Sequence, residues 1–149
     1  MKITDIEVIE LRVQDWTGAT FDGSYDNCLV LVHTDGGLTG IAEVDSVPSV
    51  IRAIVTAPRS HSHAMGLKEV VVGQDPLQVE ALWDRMYDWT SYYGRRGVVI
   101  HAISAVDIAL NRAYYLHYGV DPTRLFDMPY AVDNAFFQAR ATAARDGRK

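Results

Sequence analysis

Residues 32–44 read VHTDGGLTGIAEV, and their centre, Thr34-Asp35-Gly36-Gly37, is typical of a tight β-hairpin turn. Asp-Gly and Gly-Gly pairs readily supply the positive φ angles that such turns require. The run Cys28–His33 before the turn is apolar and of strand length, which predicts a strand covered on both faces. Leu38–Val44 after the turn predicts the returning strand.

A further strand is predicted upstream, where apolar residues alternate over Ile3–Val13. The alternation slips at Val8-Ile9, which predicts a bulge or a change of the exposed face. Residues Asp15–Asp26 combine glycines, acids and aromatic side chains and are predicted to form a loop. The first 45 residues therefore predict a three-stranded antiparallel β-meander.

Helical patterns follow from Ser46 onward. Ser46 is placed to cap a short helix that ends at Pro58. Asp75-Pro76-Leu77-Gln78 has the composition of a helix start with Asp75 as N-cap, and Gly94 breaks that helix. A third helix begins around Arg95–Gly97 and is apolar on most sides, which is typical of a central packed helix. The predicted class is α+β, a meander followed by a bundle of about three helices.

Length and composition limit both the architecture and the partners. With 149 residues the chain suffices for one domain but is too short for a (β/α)8 barrel, which needs roughly 250 residues. A formal charge of −5 disfavours a nucleic-acid partner, and no apolar run approaches the ~20 residues that span a bilayer. The single cysteine, Cys28, fits a reducing compartment. These features predict a cytoplasmic globular domain with neither nucleic-acid nor membrane partners.

Three groups could carry chemistry, although each has a simpler explanation. His61 and His63 are a spaced pair, but no nearby acid or cysteine completes a zinc-ligand spacing, so a solvated loop is favoured. Cys28 could be a nucleophile, yet a free cysteine in an apolar strand usually packs as a small hydrophobe. Asp107 interrupts an apolar helix and needs a partner, most simply a structural ion pair. Three arginines are candidates for that role: Arg85, Arg95 and Arg96.

The segment from Tyr92 to Gly97 places aromatic and cationic side chains at a predicted helix start. Two arginines beside a helix dipole would suit a carboxylate or a phosphate. Exposed Tyr and Arg are equally common at subunit interfaces. Tyr92, Arg95 and Arg96 are therefore predicted to contact either an anion or another subunit. On their own, the residues of the chain assemble neither a complete catalytic site nor a metal site.

Three segments, taken in this order, resemble the N-terminal domain of the mandelate racemase/muconate lactonizing enzyme family, within the enolase superfamily. They are the hairpin Val32–Glu43, the helix start Gly73-Gln74-Asp75-Pro76, and the helix His101–Leu110. The resemblance covers residues 1 to about 110 and divides the chain there. Residues 111–149 then form a divergent tail, expected to be partly helical or disordered.

The resemblance implies a capping domain that lies over the mouth of a C-terminal barrel. In the family, the barrel holds Mg²⁺ on three acidic residues, and its lysines or a histidine abstract the proton α to a substrate carboxylate. Two loops of the cap set specificity, and by position they correspond here to Asp15–Asp26 and Asp45–Ser49. The implied substrates are acid sugars and hydroxy acids. The implied specificity residues are Trp16, Phe21, Asp22, Tyr25 and Val47.

The sequence departs from the family pattern after Leu110. Where the family continues with Trp-Asp and then a barrel, this chain reads Asn111-Arg112-Ala113-Tyr114-Tyr115. No catalytic or metal-binding residue can be carried over, because the barrel acids have no counterpart and there is no pair of closely spaced lysines. No cofactor is then expected on this chain alone, and a substrate is expected only together with a barrel.

The expected function is that of a cap truncated before its catalytic barrel and inactive alone, so whether the chain is an enzyme stays open. The alternative is a stand-alone interaction module that self-associates, or binds a partner, through the surface a barrel would cover. A third interpretation is a small-acid binder that uses Arg95 and Arg96.

Overall fold

The structure, a computed structural model, describes residues 1–12, 26–44 and 46–125. A three-stranded antiparallel sheet is followed by helices, so the predicted α+β class and order of elements are confirmed. The described residues form four α-helices, where about three were expected, and no closed barrel. The elements are β1 Ile3–Arg12, β2 Asp26–Thr34, β3 Thr39–Val44, α1 Pro48–Thr56, α2 Leu67–Val71, α3 Val79–Trp89 and α4 Val98–His117, with a 3₁₀ turn at Pro122–Arg124.

The hairpin turn forms where the sequence predicts it. β2 lies between β1 and β3 and pairs antiparallel with both. The turn is closed by Thr34, whose backbone amide donates to the carbonyl of Leu38 at 3.1 Å. Gly37 has a φ of 76°, the left-handed conformation that a residue with a Cβ rarely adopts.

In the described part of the chain, helices cover only one face of the sheet, so the prediction that β2 is covered on both faces is wrong for these residues. Cys28, Val30 and Val32 are buried, whereas the alternating Leu29 and Leu31 are half-buried. All the described helices that contact the sheet pack on the side that these buried residues face, and no other described element covers the opposite side.

The irregularity in β1 lies at its start and not at Val8-Ile9. The pairing with β2 shifts between Ile3 and Asp5. At Ile3 the backbone bonds to the segment before α3 on its other edge: its amide donates to the carbonyl of Gln74 at 2.9 Å, and its carbonyl accepts from Gly73 at 2.8 Å. A strand held from both sides at one residue adjusts its register there.

Helix α4 is the central element of the helical layer, as predicted. It packs against β3, and its backbone lies so close to Gly40 that a Cβ at that position would overlap the carbonyl group of Ala109. One face of α4 is fully or almost fully buried among the sheet, α1 and α3. The residues of that face include Ala102, Ile103, Val106, Ala109 and Leu110.

Two predicted helix starts are wrong. The N-cap of α1 is Val47, with no side-chain cap, and Pro48 occupies the first turn, so Ser46 is not the cap. Asp75 instead accepts the amide of Leu77 at 3.1 Å in a local turn, and α3 begins four residues later.

Helix α2, Leu67–Val71, lies in a region that the sequence pattern does not mark as helical. Five residues are too few for a helical period to show. No helix in the described ranges is long and apolar enough to cross a membrane.

Candidate functional site

Two connecting segments leave the sheet at the same end. β1 ends at Arg12 and β2 begins at Asp26, and these two residues pair with each other. β3 ends at Val44, which pairs with Cys28 near the start of β2. The attachment points of residues 13–25 and 45–47 therefore lie side by side. This sheet end is the candidate functional site.

The N-terminal end of α4 lies at the same place. The hydroxyl oxygen of Ser46 and Nδ1 of His101 are 2.5 Å apart. Farther along, Gly40 in β3 touches Ala109 in α4, so the two elements run in opposite directions and the start of α4 faces the end of β3. The sequence gives no sign that His101 lies beside Ser46, because only the folded chain brings the two residues together.

Val47 is the described member of the predicted specificity residues. This residue is 58% exposed and immediately precedes α1. An exposed apolar side chain at this sheet end is free to contact another molecule. Four other predicted specificity residues lie outside the described ranges: Trp16, Phe21, Asp22 and Tyr25.

Tyr92, Arg95 and Arg96 lie on the connection between α3 and α4, and all three are exposed. Tyr92 is 74% exposed and meets the ring of His61 edge-on, with centroids 4.4 Å apart. The guanidinium of Arg95 donates to the carbonyl of Ser91 at 3.3 Å. The anion or interface contact predicted for them stays a prediction.

His61 and His63 both contact aromatic rings. His63 stacks on Trp89 with centroids 5.7 Å apart, and its Nδ1 lies 3.0 Å from the carbonyl oxygen of Asp88. Both rings remain exposed in a short loop. Their environment is that of a surface loop packed on the end of α3.

Cys28 is fully buried in β2, in keeping with the interpretation that it packs as a small hydrophobe. Burial raises the pKa of its thiol to about 11. The thiol therefore stays protonated at neutral pH, whereas nucleophilic attack requires the thiolate.

The ion pair predicted for Asp107 is not formed with any described residue. None of Arg85, Arg95 and Arg96 reaches it, since they lie on α3 or on the connection that follows. Instead Asp107 lines an open groove of about 820 Å³ between α3 and α4, together with Trp83. Its partial burial raises the pKa of the carboxyl group. The open groove leaves the carboxyl group of Asp107 accessible to solvent.

This unpaired carboxylate gives a pH-dependent prediction. A pKa raised by folding means that the charged form is disfavoured in the folded state, so the penalty is present above the folded pKa and vanishes below the unfolded value. Asp107→Asn should therefore be at least as stable as the parent at pH 7, and its advantage should shrink as the pH falls towards 4. Urea unfolding at several pH values measures this; a lower stability of the variant at pH 7 would contradict it.

The described residues do not supply a magnesium site. Among residues 1–12, 26–44 and 46–125, no group of three or more His, Cys, Asp or Glu side chains could hold a metal ion. Mg²⁺ prefers carboxylate oxygens in near-octahedral arrangement, which scattered surface acids do not provide.

Residues 19–113 match the sequence profile described as mandelate racemase/muconate lactonizing enzyme, N-terminal domain. The chain is 39% identical to L-rhamnonate dehydratase from Saccharopolyspora erythraea over 75 residues. This matched stretch covers 48% of this chain and 19% of that protein.

Two crystal structures with a similar fold come from enzymes of different activity. The 3,6-anhydro-D-galactonate cycloisomerase from Zobellia galactanivorans has a TM-score of 0.62 and 27% identity, covering 79% of this chain and 29% of that one. A racemase from Streptomyces coelicolor A3(2) with bound magnesium has a TM-score of 0.56 and 28% identity, covering 72% and 30%. The chain thus spans about a fifth to a third of the length of these relatives.

Proposed function

Because the chain belongs to the mandelate racemase/muconate lactonizing enzyme family by its N-terminal domain, we propose that residues 1–110 act as the capping and specificity domain of an acid-sugar dehydratase or racemase. One observation carries the proposal: the attachment points of two connecting segments and the start of α4 lie at one end of the sheet, with Val47 exposed there. A cap needs such a cluster of side chains to cover a substrate and exclude water.

The proposed division of labour is the one that the resemblance to the family implies. The cap contributes surface and closure, while the barrel of the full-length enzymes supplies the acids, the Mg²⁺ and the base. We therefore propose that this chain has no dehydratase or racemase activity of its own and meets an acid-sugar or hydroxy-acid substrate only beside a barrel. The one cysteine, buried and unpaired, supports a place in the cytoplasm.

A chimera tests the proposal. Residues 1–113 of this chain replace the N-terminal domain of the Saccharopolyspora erythraea L-rhamnonate dehydratase, and both the chimera and the chain alone are assayed with Mg²⁺ on a panel of acid sugars. We expect turnover by the chimera, with a substrate preference shifted from that of the parent enzyme, and none by the chain alone. A cap that sets specificity changes the relative kcat/KM values among substrates.

The parent dehydratase and its barrel without any cap are the matched controls. Turnover by the chain alone would contradict the proposed division of labour. A folded chimera no more active than the uncapped barrel would contradict the capping role itself.

A second candidate function is the interaction module, and the exposed apolar side chains of α4 favour it. Ile108 and Tyr115 lie seven residues apart on one face of the helix, are 53% and 46% exposed, and continue to Tyr118 near its end. Such a face is suited to contact another protein surface, either a barrel or a second copy. Light scattering separates the candidates, because a chain that stays monomeric at high concentration rules out self-association.

A further inference from the structure

We propose that His101 is a positioning residue of the segment between β3 and α1: it fixes Ser46 and thereby the direction in which Val47 points from the cap. This proposal rests on the proposed function, because the direction of Val47 affects activity only if this end of the sheet faces a substrate. The contact itself joins two residues 55 positions apart, with the Ser46 hydroxyl oxygen 2.5 Å from Nδ1 of His101.

The serine hydroxyl is used in an unusual way. A serine next to a helix start normally satisfies a free backbone amide of that helix. Here α1 has no side-chain cap; the carbonyl of Val47 accepts the amides of Val50 and Ile51 at 3.0 and 3.1 Å instead. The Ser46 hydroxyl is directed away from α1 and towards α4, where its hydrogen-bond partner is Nδ1 of His101.

His101 is held on a rigid support. Its neighbours Ala102 and Ile103 are fully buried, and α4 cannot shift relative to β3 without opening the close contact between Gly40 and Ala109. A side chain that must orient a loop does so best from a packed element. In the tautomer with its proton on Nε2, the imidazole accepts the hydroxyl hydrogen at Nδ1.

The segment is also short enough for one bond to control it. The backbone amide of Ser46 donates to the carbonyl of Val44 at 3.1 Å, and α1 begins two residues later at Pro48. Ser46 is thus the point at which the segment is tied both to the end of β3 and to α4. Losing this bond loosens Val47 and the hydrogen bonds that its carbonyl accepts from Val50 and Ile51, while the buried side chains of Pro48 and Ile51 keep α1 packed on the core.

Backbone amide hydrogen exchange and ¹⁵N NMR of the histidine rings, both on the 149-residue chain, test the proposal. In Ser46→Ala and His101→Phe we expect exchange at Val50 and Ile51 to rise about fivefold, the effect of losing one hydrogen bond. His101→Asn, whose amide can replace Nδ1, should restore most of the protection. Ser46→Ala should also shift the Nδ1 resonance of His101.

The matched control is His117→Phe, which alters the exposed histidine at the other end of α4 and should leave Val50 and Ile51 unchanged. Amides in the buried middle of α4 report global stability and should keep their protection in every variant. Unchanged exchange at Val50 and Ile51, or a Nδ1 resonance that ignores Ser46→Ala, would overturn the proposal.

The chimera gives the functional measurement. There His101→Phe should raise KM about fivefold or more with little change in kcat, and His101→Asn should restore it. A change in kcat alone would overturn the positioning role. An inactive chimera would contradict the proposed capping function. The exchange and NMR results would still test whether His101 holds Ser46.

Discussion

Gly40→Ala is expected to destabilise the fold by about 3 kcal/mol or more, lowering Tm by roughly 10 °C. A Cβ at this position would overlap the carbonyl oxygen and carbon of Ala109. The obstacle is backbone in the middle of a 20-residue helix, so no side-chain rotation can relieve it. β3 and α4 would have to move apart, which would open the most closely packed contact between the sheet and the helical layer.

Gly36→Ala is the matched control in the same hairpin. A Cβ there would lie 2.8 Å from the sulfur of Met1, the end of a flexible side chain that can rotate away. We expect a loss below about 1 kcal/mol. Thermal and urea unfolding of both variants provide the measurement. If the two substitutions lower the stability equally, the close contact with α4 is not the reason why Gly40 has to be a glycine.

Leu110→Ala is expected to lower the free energy of unfolding by about 3 kcal/mol. The side chain is fully buried where α4 packs on the sheet and on α3. Truncation removes the favourable transfer of its methyl groups from water and leaves a cavity that close-packed neighbours fill only in part. Urea unfolding should show a lower midpoint with an unchanged slope.

Ile108→Ala, two residues earlier on the same helix, separates burial from helix propensity. Its side chain is more than half exposed, so little apolar contact is lost, and alanine is the better helix former. We expect its stability to lie within about 0.5 kcal/mol of the parent. A large loss at Ile108 together with a small one at Leu110 would mean that the packing of α4 is not as described.

The elements with strong local patterns were predictable. The turn around Gly37 follows from Asp-Gly-Gly between apolar runs, and α4 follows from a long series of apolar positions at helical spacing. Burial on one face of β2 was harder to foresee, because a run such as Leu29–Val32 is equally apolar whether one face or both are covered. Only the placement of all the helices on one side of the sheet decides it.

Features that depend on distant contacts could not be predicted. The sequence places Ser46 well for capping α1, yet the folded chain offers it His101 instead. Asp107 was expected to pair with an arginine because a buried charge requires compensation, but it lies at a groove where water can solvate it. In both cases the local chemistry was right and the neighbouring element was unknown.

For this end of the sheet, the sequence predicted the two loops but not the full set of residues that meet there. The pairing of Arg12 with Asp26 and of Val44 with Cys28 brings the two attachment points together. The order of three antiparallel strands requires this, so the sequence predicted it indirectly. The arrival of α4 at the same end required the three-dimensional packing.

The uninterrupted course of α4 has a mechanical consequence. The helix runs without interruption from Val98 to His117 and so continues past residue 113, where the match to the family ends. At 1.5 Å per residue, about 24 Å separate His101 from His117. A displacement of α4 at His117 can therefore reach His101 only by straining the close contact between Gly40 and Ala109, which lies between them.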